Sequence, residues 1–137
     1  MNAREYLEQI KDLDELIKDV CAEVEEKEER AKRTTSAIRA YSMPSRAKQQ
    51  MADAIDEYVD IERGVLRELV LKRQEIIDIL KLLPSKEHGV LFKRYVLGCE
   101  FYEIGTAYDR SESWAKSMTR TALENLQKIL DDKEGEA

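Results

Sequence analysis

From Tyr6 onward the apolar residues Tyr6, Ile10, Leu13, Ile17, Val20 and Val24 recur at alternating steps of four and three, and this spacing constrains the fold more than any other feature of the chain. It is a heptad-like seam, the stripe that one helix offers to another, and Leu7, Leu16 and Cys21 widen it. The positions between are nearly all Asp, Glu, Lys or Arg, as a solvated face requires. Beyond Val24 the seam weakens through Lys27, Ala31 and Thr34, so fraying or a change of partner is expected near Thr34-Thr35-Ser36. Pro44 then fixes its own backbone and pushes Met43 out of the helical region, while Ser42 or Ser45 can cap a new helix. This second helix is expected to run to Leu82-Leu83, with Met51, Ile55, Tyr58, Val65, Leu69, Ile76 and Leu80 as its main stripe and Val59, Leu66, Ile77 and Leu83 broadening it. Gly64, in its middle, is expected to mark a close approach between helices.

Two long helices joined by a short proline turn fold back most simply as an antiparallel, coiled-coil-like hairpin over residues 1–83. A hairpin has one seam, so the broadened stripe leaves apolar surface over; a homo-oligomer, with a dimer favoured, is the expected outcome. Composition agrees with an all-α fold: 38% of residues are charged, and 5 Gly, 2 Pro and 2 Phe are too few for the turns and aromatic runs of sheets. With 137 residues the core is modest and a large enclosed active site is not expected. Cys21 and Cys99 lack the spacing of a disulfide framework or zinc site, and the chain has no apolar run of membrane length and no leader-like start. The expected location is the cytoplasm, with no metal, cofactor or membrane.

After Pro84, Val90, Leu91, Tyr95 and Val96 give a third helix its apolar face, and Gly98 ends it. Residues 101–107 form a short helix and 111–130 a longer one carrying Trp114, Met118, Ala122, Leu126 and Ile129 on one side. Between these two, Asp109 tolerates the left-handed backbone of a helix-ending turn and Ser111 is placed to cap the next helix. This is a helix-turn-helix. Its second helix carries Ser113, Lys116, Ser117 and Arg120 on one face, short donors and basic groups suited to a DNA major groove; Arg110 and Ser111 lie at its entrance. Lys93 is a candidate phosphate contact beside it, and Arg94 is expected to be a structural ion-pair or phosphate contact, not a base reader. Residues 131–137, four acidic and one basic, are expected to be a disordered tail.

Net charge is −6, but residues 84–130 hold seven Lys and Arg against six Asp and Glu, so this module is nearly neutral. From Arg30 to Lys48 there are six basic residues and no acidic one; Arg39, Arg46 and Lys48 at the hairpin tip are further candidate phosphate contacts.

The order Leu83-Pro84, Leu91, Arg94-Tyr95, Gly98, Tyr102-Glu103-Ile104-Gly105, Ser111, Lys116, Ala122-Leu123 and Leu126 resembles the helix-turn-helix of sigma factor region four, over residues 83–130. Asp109 stands where that pattern has a glycine. Together with the charged helical half before it, the chain is similar to the ArpU and RinA-like phage and prophage transcription regulators. That resemblance implies binding of double-stranded DNA in a bacterial host and control of late phage genes.

An enzyme is not expected. His88, the only histidine, has no nucleophile near it in sequence, and there is no phosphate-cradling glycine loop. The remaining alternative to a DNA-binding regulator is a helical adaptor whose nearly neutral C-terminal module docks on RNA polymerase or another protein.

Overall fold

The computed structural model describes the backbone of residues 1–136 and the side chains of residues 1–135. Every regular element among them is helical: α1 (Ala3–Ala40), α2 (Ser45–Leu80), α3 (Ser85–Leu91) running into a π-helical turn at Phe92–Val96, α4 (Phe101–Ala107) and α5 (Glu112–Glu136). The all-α expectation therefore holds, with α1 and α2 packed as an antiparallel pair and a helix-turn-helix after them. Contacts divide the chain into two compact units, Met1–Asp14 with Lys72–Ala137, and Glu15–Leu71. The boundary expected at 83/84 falls inside the first of these.

In the first unit, Leu7 and Ile10 of α1, Leu80 of α2, Val90 and Leu91 of α3, Ile104 of α4 and Leu126 of α5 lose essentially all contact with solvent. Each such side chain contributes about 1.5–3 kcal/mol by leaving water, so this is where the fold is held. Asp14 and Arg73 bridge α1 and α2 at 2.6 Å. Burial, with help from the Glu75 carboxylate, pushes the Tyr6 phenol up to about 12. The start of α1 also meets α5: the Ala3 N–H donates to Gln127 Oε1 at 2.7 Å, and the Met1 ammonium pairs with Glu134 at 3.0 Å.

That docking bears on the C-terminal tail. The segment expected to be disordered is helical as far as Glu136, while residue 137 lies outside the described residues. Its charges are used locally, Asp131 accepting from Gln127 at 3.0 Å and Glu134 from the N-terminus, so lack of apolar residues did not prevent α5 from continuing.

In the second unit, only Val24, Ile38 and Val59 are buried hydrophobics. Across it Lys27 meets Glu62 at 2.9 Å and Arg63 meets Glu28 at 2.9 Å, while the Lys27 ammonium lies 4.6 Å from the centre of the Tyr58 ring. The Thr34 and Thr35 hydroxyls donate to the carbonyls of Arg30 and Ala31, and α1 runs on to Ala40 instead of fraying near them. Gly64 is exposed, and a Cβ there would meet nothing within 4 Å, which corrects the expected close approach.

The α2 stripe is also reassigned in part. Ile55, Val59, Leu66, Leu69, Ile76, Ile77, Leu80 and Leu83 are shielded as expected, whereas Met51, Tyr58 and Val65 are exposed, and Ala52, Glu62 and Arg73 complete a shielded row at alternating steps of three and four. Two of these are charged: Glu62 pairs with Lys27, and Arg73 with Asp14.

Candidate nucleic-acid interface

The C-terminal part of the first unit is built around Val90, Ile104 and Ala115, with Cys99, Phe101, Tyr108, Trp114 and Met118 packed against them. Helix α3 gives way to a wider π turn in which the Leu97 N–H donates to the Phe92 carbonyl at 3.1 Å, and Gly98, at φ 71°, turns the chain out as its position suggested. Glu103 then accepts from the backbone N–H of Glu100 at 3.0 Å and starts α4.

The turn between α4 and α5 is closed by two backbone bonds, Arg110 N–H to the Gly105 carbonyl at 2.8 Å and Asp109 N–H to the Thr106 carbonyl at 3.1 Å. These form a Schellman arrangement, which needs a left-handed residue between them, and Asp109 supplies it at φ 54°. Ser111 Oγ accepts from the Trp114 N–H at 3.1 Å and caps α5. Both local expectations therefore hold. Gly105 faces the backbone of the turn: a Cβ there would lie 2.7 and 2.8 Å from the carbonyl oxygens of Ser111 and Arg110. The Tyr108 and Trp114 rings, 5.5 Å apart, pack across the same turn.

With Ala115, Thr119, Ala122 and Leu126 buried, the opposite face of α5 presents Ser113, Lys116, Ser117 and Arg120, all exposed. The structure brings these four together on one side, with Arg110 and Ser111 exposed at its entrance. Lys116 lies 3.7 Å from Glu112, one turn away, an exposed pair of small energetic value. Arg110 lies 5.8 Å from the Trp114 ring centre, and Lys93, half-buried, 5.7 Å from that of Tyr108. Both cations are thus steered beside the turn by aromatic faces. Arg94 is structural as expected: it donates to the Cys99 carbonyl at 3.1 Å and sits 4.1 Å over Phe101.

One basic residue at this face is invisible to local sequence patterns. Arg4, in the first turn of α1, lines a shallow groove with Arg120, Leu123 and Gln127. No local signal could have found it, because 116 positions separate it from Arg120. In the second unit, Arg39 and Lys48 line one groove with Thr35, Ile38 and Ser45, and Arg46 is exposed in the first turn of α2.

Fold and site together define a helix-turn-helix chain with a capped, exposed polar helix face. No protein-family model matches the chain, and no curated protein and no solved structure matches it. Among the described residues, no helix is long and apolar enough to cross a membrane.

Proposed function

We propose that this chain is a sequence-specific DNA-binding transcription regulator, not an enzyme, acting as a homo-oligomer in the bacterial cytoplasm. The observation that carries the reading is the α5 face: Ser113, Lys116, Ser117 and Arg120 exposed in register on a helix whose far side is buried and whose start is fixed by Asp109 and Ser111. One α-helix fits a major groove, and hydroxyls, lysine and arginine are donors to base edges there. Arg110 and Lys93 serve as phosphate contacts beside it, and Arg39, Arg46 and Lys48 form a second basic contact. The resemblance to the ArpU and RinA-like regulators supports the same reading and extends it to late phage genes.

The test is fluorescence-polarisation binding to promoter fragments from the chain's own genomic neighbourhood, at two salt concentrations and against scrambled competitor. Selective binding is expected, and Lys116→Ala with Arg120→Ala should weaken it at least tenfold while leaving the helical circular dichroism unchanged. Unchanged affinity in that double variant removes the α5 face from the reading. Arg39→Glu with Arg46→Glu should lower the slope of log affinity against log salt by about 2, as loss of two phosphate contacts requires.

A second reading has its own observation. Leu97 and Tyr102 are exposed on the module, and Glu112 lies 3.7 Å from Lys116, as suits docking on a protein such as RNA polymerase. Absence of selective DNA binding, with capture of polymerase by the intact module, would favour it.

A further inference from the structure

The hairpin of the second unit has two unlike sides. On one, Glu28, Lys32, Arg39, Asp56 and Arg63 line a charged groove. On the other, marked by Lys27 lying over Tyr58, α2 is apolar and α1 carries the exposed charges Glu23 and Arg30. Along α2, Met51, Ala54, Tyr58, Ile61 and Val65 succeed one another at steps of three and four, and all five are exposed, Ile61 by 62%. On α1, Leu16, eleven residues or three turns before Lys27 and so on the same side, is 49% exposed. Glu57 on α2 and Glu23 and Arg30 on α1, all exposed, flank the apolar row of α2, an apolar strip with charged margins, as protein interfaces have.

We infer that this face binds the same face of a second copy of the chain, closing two hairpins into a four-helix bundle. This deepens the homo-oligomer part of the proposed function and stands whether or not α5 reads DNA. Three observations select a second copy as the occupant. First, the stripe is self-complementary: Met51 and Val65 lie seven residues either side of Tyr58, with Ala54 before it and Ile61 after. A two-fold axis at Tyr58 therefore sets Met51 of one copy against Val65 of the other, and the small Ala54 beside the large Ile61. Second, the area suits a dimer. The face extends roughly 30 Å along two helices that together span about 20 Å, giving on the order of 1,200 Å² for a pair, the lower bound of specific stable interfaces. Third, three buried hydrophobics are a thin core for residues 15–71, and each copy carries the same deficit. Pairing like faces fills both at once.

Sedimentation equilibrium of the full chain tests this. The wild type should sediment at twice its 15.9 kDa mass at micromolar concentration, and Ile61→Glu with Val65→Glu should weaken the dimer at least tenfold. Leu82→Glu, equally exposed but outside this unit, should leave it intact. Because the double variant can also lose its fold, a second measurement uses Ile61→Cys in a chain with Cys21→Ala and Cys99→Ala. Maleimide labelling at residue 61 should slow severalfold, up to the roughly tenfold limit that mass action sets, as protein rises from about 1 to about 100 µM, while a Leu82→Cys control keeps its rate. A monomeric wild type, or a dimer in which residue 61 labels at the same rate throughout, overturns the inference. DNA binding is read separately, so failure of one proposal does not mimic failure of the other.

Discussion

Gly105 and Gly64 are the same residue type in helices, and their surroundings give them opposite consequences. At Gly105 a methyl group would press on the backbone carbonyls of Arg110 and Ser111, neither of which can move without opening the turn. Gly105→Ala should therefore cost about 1–3 kcal/mol in urea unfolding, the range for overpacking a rigid site. At Gly64 nothing lies within 4 Å, and the only term left is the poor helix propensity of glycine. Gly64→Ala should raise stability by up to about 1 kcal/mol in the same assay. Asp109 and Ser111 were legible in the sequence because a left-handed turn and a cap are decided by backbone geometry over a few residues. The role of Gly105 was only half legible: smallness showed that something approaches closely, but not what.

The interhelical seam shows why apolar spacing alone misassigned three members of the α2 stripe. Glu62 and Arg73 occupy seam positions and are compensated across it by Lys27 and Asp14, so the shielded row is interrupted by charges. Met51, Tyr58 and Val65, one position aside, read as a cleaner stripe while lying in solvent. The Lys27 ammonium beside Glu62 holds that carboxyl below the usual value, mainly through their hydrogen bond. A depressed folded pKa means the contribution is present above the unfolded value of about 4.5 and disappears as pH falls through the lower folded one. The second unit should thus lose stability below about pH 4.5, and Glu62→Gln should flatten that acid limb in thermal melts monitored by circular dichroism.

At the scale of the whole molecule, fifteen of the eighteen buried hydrophobics among the described residues belong to the first unit, and four of them, Ala3, Leu7, Ile10 and Leu13, come from the start of α1. The helix-turn-helix therefore depends on residues far before it. A fragment of residues 84–137 should lack a cooperative melt, and a chain lacking residues 1–14 should lose both this melt and any DNA binding; a stable, folded fragment would contradict this. Amide hydrogen exchange should be faster over 15–71 than in the buried helices of the first unit, since local stability tracks buried apolar contact.

The sequence by itself determined that the chain is helical, that Pro44, Pro84 and Gly98 separate its helices, and how the α4–α5 turn is closed. Those features depend on hydrogen bonds and side-chain spacing within a few residues, which the order of amino acids specifies directly. Only the tertiary structure decided which of several apolar stripes is buried, that the first turn of α1 docks on α5, and that Arg4 lies beside Arg120. Leu, Ile and Val bury equally well against many partners, and the choice among partners is made by the register of whole helices and by ion pairs between residues distant in sequence.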